Sequence, residues 1–301
     1  MSKISVIRQH IIENRNTLLC VGPMSKNCVD VVIDVSEAYG VPIKLNASRR
    51  QIDCEEFGGG YVNNWCTSAF GSYVTQRDKK QLVCLARDHG GPWQNTREVE
   101  SNLDLASAMA SAKLSMKSDI DAGFDVIHID PSIDIHKSLD VDDILERIYE
   151  LYDYCWGYAK SQSKEISFEI GTEEQSGGAN TPSELKYVLN QMTAFCESVG
   201  APMPLFVVVQ CGSRVMEMEN VGAMDSLFRV KGQLPPELQI PRMVNLTQEY
   251  GVFIKTHNTD YITDETLKWH PRLGIHASNV APEFGVVETR SFLKLLEIDN
   301  Q

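Results

Sequence analysis

The sequence has no CxxC pair, no HExxH motif and no apolar run near the roughly 20 residues that cross a bilayer. Its eight cysteines, Cys20, Cys28, Cys54, Cys66, Cys84, Cys155, Cys196 and Cys211, are scattered. In a chain of this length they read as reduced thiols in a reducing compartment. The N-terminal stretch MSKISVIRQHIIENRNT lacks the apolar core and small-residue cleavage site of a secretory signal, so a cytoplasmic location is expected. No long linker, low-complexity tract or internal repeat interrupts the chain. Positive charge is scarce: 28 Lys and Arg stand against 41 Asp and Glu, a formal net charge of -13. This argues against nucleic acid or an anionic membrane as the main partner, while a local basic pocket could still take a small anion.

What is present is alternation. Short apolar runs occur at Thr17–Val21, Pro42–Asn46, Leu82–Ala86, Phe124–Asp130, Glu165–Ile170, Leu205–Gln210, Val252–His257 and Arg272–His276. Several are almost continuously apolar, as strands of a buried parallel sheet should be. Helical signals separate them. Asn95-Thr96-Arg97-Glu98 looks like a capping box opening one helix that Gly123 can close. Thr181-Pro182-Ser183-Glu184 combines an N-cap, a first-turn Pro and a Glu three residues on. Eight strand–helix units in 301 residues predict a single-domain α/β fold, a (β/α)8 TIM barrel over residues 1–301. A doubly wound open sheet is the alternative, but no GxGxxG follows the first run.

Chemistry collects at the run ends, which in such a barrel form one face. Residues two apart on a strand share a side, so His128 goes with Asp130, Ser167 with Glu169, and Lys255 with His257. If those sides point inward, the upper barrel is ionisable, and a metal ion or an anionic substrate would offset the cost of burying it. His89, Glu169 and His257 are candidate ligands for a divalent metal; two imidazoles and a carboxylate suit zinc. Asp88, expected on the opposite side of its strand from His89, could move a proton. The glycines at 58–60, 90–91 and 177–178 could let backbone amides approach phosphate, and Arg49 and Arg50 could bind it.

At these motifs the chain resembles the class II tagatose-bisphosphate aldolase group, with most likeness to its so-called non-catalytic, Z-type subunit family. The segments are FGGGYVNNW (57–65), RDHGGPWQN (87–95), AGFDVIHIDPS (122–132), FEIGTEEQSGG (168–178), FVVVQCG (206–212), THNTDYIT (256–263) and NVAPEFG (279–285). The resemblance implies a TIM barrel in which Asp88 transfers a proton and His89 binds zinc. Glu169 would approach the metal, and His257 would be the late zinc ligand, followed by a phosphate-binding turn at Asn258 and Thr259. Gln210 stands where the catalytic relatives have a zinc His, which departs from a three-His site. Asp260 joins Asp88 as a candidate catalytic residue, and Gly212, Ser213 and Asn279 join the candidate substrate and phosphate contacts.

Three functions compete. One is a metal enzyme cleaving or epimerising a ketose phosphate. Another is a non-catalytic partner that stabilises a separate aldolase subunit, favoured by Gln210. A third is a Schiff-base aldolase using Lys44 or Lys255, both inside strand runs. A small sugar phosphate is the expected ligand, and a homo-oligomer the expected assembly.

Overall fold

The computed structural model describes residues 2–171, 181–224 and 235–299. Eight parallel strands close into a barrel: β1 (Leu18–Val21), β2 (Ile43–Ser48), β3 (Val83–Gly90), β4 (Val126–Ile129), β5 (Ser167–Ile170), β6 (Phe206–Val208), β9 (Phe253–Thr256) and β10 (Ala277–Val280). β10 pairs with β1 to complete the ring. A two-stranded hairpin, β7 (Val215–Met216) and β8 (Glu219–Asn220), stands on the loop after β6. Around the barrel run α2 (Lys26–Tyr39), α3 (Thr67–Arg77), α5 (Leu105–Asp121), α6 (Val141–Ser161), α7 (Pro182–Val199), α8 (Pro236–Glu249), α9 (Asp264–Leu273) and α10 (Pro282–Asp299). Among the described residues no helix is long and apolar enough to cross a membrane.

Strand alternation divides the chemistry. Leu45, Leu85, Ile127, Phe168, Val207 and Ile254 are buried in one cluster with Met116, Leu151, Leu189 and Met243 of the surrounding helices. Burying each such side chain contributes about 1.5–3 kcal/mol. The alternate positions include Cys20, Lys44, Cys84, His128, Glu169 and Lys255, all buried. The floor below them is apolar: Ile4, Ile7 and Ile11 of α1 (Lys3–Asn14) pack on Leu18, Cys84, Val126, Leu205 and Phe206. The interior therefore grades from a greasy floor to a charged mouth at the C-terminal strand ends.

The first seven runs each overlap a barrel strand, with β2 and β3 continuing two and four residues past the ends of their runs. The eighth does not. Arg272 and Leu273 end α9, Gly274 caps it in the left-handed conformation (φ +84°), and the strand begins at Ala277. The real strand reads ASNV, too short and polar to rival RLGIH by composition. The helix expected from Asn95 is also broken in two. The Asn95 side chain accepts from the Arg97 N–H and opens only α4 (Thr96–Glu100); Asp104, accepting from Ser107, caps α5 separately. Glu98 does not close a capping box, because its carboxylate is drawn inward to Arg49 and Ser111. The box at Thr181 and Glu184 forms with Pro182 in the first turn, and Gly123 follows α5 at φ +83° as expected.

The displaced eighth run moves His276 to the lower end of its strand, where its Nδ1 accepts the Ile254 N–H at 3.1 Å. Burial pushes its pKa down to about 4, against about 6.5 in an unfolded chain. Between those values the unfolded chain binds a proton that the folded chain refuses, so this residue's contribution is present above pH ~6.5 and is lost as pH falls towards 4. Urea midpoints taken from about pH 7 down to about pH 4 should fall less steeply for His276→Gln than for the wild type. Parallel slopes would show that His276 does not carry this term.

Candidate active site

One extra residue in β3 shapes the mouth. Arg87 pairs with Ile127 and Gly90 with Ile129, so β3 spends three steps where β4 spends two. The bulge is made by His89 in the left-handed conformation, φ +46°. In a regular strand Asp88 and His89 would face opposite ways. Here they converge: His89 Nε2 lies 3.9 Å from Asp88 Oδ2. The close pass that follows is possible because residue 91 is glycine; a Cβ there would lie 2.2 Å from the Asp130 carbonyl oxygen.

Asp88, His128, Glu169 and His257 form the centre, each offering a donor atom within 4.8 Å of the others, and all four are buried. Asp88 Oδ1 is 3.4 Å from His128 Nδ1 and 3.7 Å from His257 Nε2; Glu169 Oε1 is 3.5 and 3.7 Å from the same two atoms. The Glu169 carboxylate is also gripped from both sides, Oε2 by Lys44 and Oε1 by Lys255, with both lysines inaccessible. Burial would push the Glu169 carboxyl up, but Lys255, Lys44 and His128 outweigh it and hold it well below the usual range. Asp88 is likewise held well below that range: burial opposes, and His89, Lys255, His128 and His257 prevail. Burial would lower Lys44, yet Glu169 keeps it above the ordinary lysine value.

The imidazoles are set apart by their partners. His89 Nδ1 bonds to Asp130 Oδ2 at 2.6 Å. Burial would lower its pKa, but Asp88 and Asp130 raise it to about 9, so at neutral pH it carries a proton. His257 is neutral, pushed to about 4 by burial and by Lys255. His128 Nδ1 also lies 3.1 Å from the His89 backbone nitrogen, and the other ring nitrogen is Nε2. That atom lies against residue 171, where any side chain would begin 2.8 Å away. Two carboxylates and two imidazoles at this spacing are a donor set that fits a divalent cation such as zinc.

The structure thus brings Asp88, Glu169 and His257 together and adds His128, which sequence reasoning placed on the same strand side as Asp130 without making it a ligand. The signal was its place inside a strand, opposite Glu169. His89 stands beside the group, turned to Asp130. Gln210 is buried just past β6 and is not one of the four. Asn279 bonds Asp88 through Nδ2 (3.1 Å to Oδ2) and accepts from Asn46 (2.7 Å). Ser213 donates to the His257 carbonyl at 2.7 Å, and Thr259 donates to the Asn279 carbonyl. The Asn258 carbonyl accepts from Asn220 at 2.9 Å, and Gly212 takes φ +82°. These groups brace the loops around the mouth. The Gly177–Gly178 pair lies outside the described residues.

Two expected site residues are placed for other work. Asp260 Oδ1 accepts from the N–H groups of Ala281 and Glu283, each at 2.9 Å, and so holds the start of α10. Arg49 is 1% exposed, and its guanidinium is consumed by Asp53 (3.1 Å), Glu98 (2.6 Å), the Gly91 carbonyl (3.0 Å) and Ser111 (3.0 Å). It ties the end of β2 to α4 and α5 from inside the protein.

No protein-family profile matches the chain. Its fold is similar to that of several solved structures. A probable tagatose 6 phosphate kinase from Sinorhizobium meliloti 1021 superposes with a TM-score of 0.70 at 18% identity, over 89% of this chain and 65% of that one. This chain thus spans about two-thirds of that protein's length. The YdjI aldolase from Escherichia coli K12 gives 0.58 at 14% identity, over 99% and 86%. The fructose-bisphosphate aldolase from Campylobacter jejuni gives 0.57 at 10% identity, over 94% and 77%. At these identities the likeness is one of fold.

Removing one partner of a buried ion pair strands the others, typically at about 3–5 kcal/mol. Arg49→Met should lower unfolding free energy in urea by about that amount. A variant as stable as the wild type would show that Arg49 is not the brace its contacts describe.

Proposed function

We propose that the protein is a divalent-metal-dependent enzyme that cleaves or epimerises a ketose phosphate by aldol-type chemistry, with zinc as the metal. The observation that carries the reading is the buried convergence of Asp88, His128, Glu169 and His257 at the C-terminal mouth of the barrel, where enzymes of this fold build their sites. The resemblance of the sequence to class II tagatose-bisphosphate aldolases, together with a fold shared with solved aldolases, supports it. The cation, held by those four residues, would supply Lewis-acid polarisation of a substrate carbonyl.

The chain's own groups divide the remaining work. Asp88 turns Oδ1 towards His128 and His257 and Oδ2 towards His89 Nε2 and Asn279 Nδ2. Oδ2 is therefore the atom placed to accept a proton from a substrate hydroxyl or carbon. Asn279 and Asn46 fix its orientation. His89 holds a proton at neutral pH and, being partly open to solvent at 31% exposure, is placed to return one.

Chelation should abolish turnover across a panel of ketose phosphates, and zinc should restore it. His257→Ala should lose bound metal. Asp88→Asn should lower turnover by about 10²–10⁴-fold, the usual worth of a general acid–base group. Steady-state kinetics and metal analysis of the purified chain check all three. Undiminished turnover in Asp88→Asn would remove that residue from proton transfer. Turnover appearing only on addition of a separate aldolase subunit would favour the partner-subunit role instead.

A further inference from the structure

A cation already sits against two donors of the four-donor cage. The Lys255 ammonium bonds Glu169 Oε1 and lies 3.6 Å from Asp88 Oδ1. These are the same two oxygens that His128 Nδ1 and His257 Nε2 face at 3.4–3.7 Å. The ammonium and the two imidazole nitrogens thus crowd the same pair of carboxylate oxygens, and the four donor atoms of the cage lie within 4.8 Å of one another. A metal ion needs oxygen and nitrogen donors at about 2.0–2.2 Å, so it would compete with the ammonium for these two oxygens.

Lys255 is also more than Glu169 needs. The second oxygen of that carboxylate already has Lys44, which is equally buried. A single buried ion pair satisfies the requirement that a buried charge be paired. With both lysines in place, two ammoniums balance the two carboxylates of Asp88 and Glu169, and the cage has no surplus negative charge to attract a metal.

Resting on the metal-dependent reading above, we propose that Lys255 is a built-in rival of the metal: a divalent cation occupies the Asp88–His128–Glu169–His257 cage only by displacing the Lys255 ammonium. Lys255 therefore sets the metal affinity of the site and keeps it below what four such donors would otherwise provide. Replacing it by an uncharged side chain leaves the pair of Glu169 with Lys44 and unbalances the cage by one negative charge.

The test is zinc binding to metal-stripped full-length protein, measured by competition with a chromogenic chelator and by elemental analysis, on the wild type, Lys255→Met and Lys255→Gln. Circular dichroism of the metal-free variants establishes that each is folded. Both variants should bind one zinc at least tenfold more tightly than the wild type, about 1.4 kcal/mol. A second measurement needs no variant: in ¹⁵N spectra of lysine-labelled wild type, the Lys255 Nζ signal should move on adding one equivalent of zinc. Equal or weaker binding in folded variants, or a Lys255 signal indifferent to zinc, would overturn the rivalry and leave the metal reading standing. Failure of all three proteins to bind zinc, manganese, magnesium or cobalt would overturn both.

Discussion

The buried pair of Lys44 and Glu169, which Lys255 joins in the metal-free barrel, is the constraint on which the upper barrel depends. A carboxylate at the middle of a closed sheet is costly unless its charge is met, and here two inaccessible ammoniums meet it from β2 and β9 while it projects from β5. Three of the eight strands are thereby tied through the interior rather than through their ladders. Because Glu169 is fixed, the imidazoles of His128 and His257 take set positions around it, and Asp88 lies in a field that keeps it ionised. The apolar floor under α1 has the opposite character, and the contrast gives the barrel one reactive end.

Much of this was legible in the sequence. Strand alternation alone pairs Lys255 with His257 and His128 with Asp130, and seven of the eight barrel strands overlap apolar runs. The eighth was lost because ASNV places Ser278 and Asn279 where an apolar pattern would have marked it, while the neighbouring RLGIH imitated a strand. Site residues divide in the same way. Asp88, Glu169 and His257 were readable from their positions at strand ends. His128 was readable as inward-facing but not as a neighbour of Asp88, because that depends on register between strands.

The placements of Arg49 and Asp260 have a common cause. Arg49 and Asp260 are polar residues near strand ends, as a phosphate ligand or a catalytic acid would be. What decides between binding and bracing is whether partners inside the protein already consume the side chain. Asp53, Glu98 and Ser111 do this for Arg49, and two backbone amides do it for Asp260. No local pattern announces such partners, since they come from 4 to 62 residues away along the chain.

The left-handed backbone at His89 limits what this position can become. Side chains branched at Cβ are nearly barred from that conformation, and beyond glycine the residues that tolerate it best are Asn, Asp and His. Each of these can also offer an oxygen or nitrogen to a ligand or a proton. Random change at residue 89 is therefore filtered by backbone sterics before any selection on activity acts. Apart from glycine, the residues that pass that filter most readily keep a polar atom at the rim, so the backbone itself favours a polar side chain at this edge of the mouth.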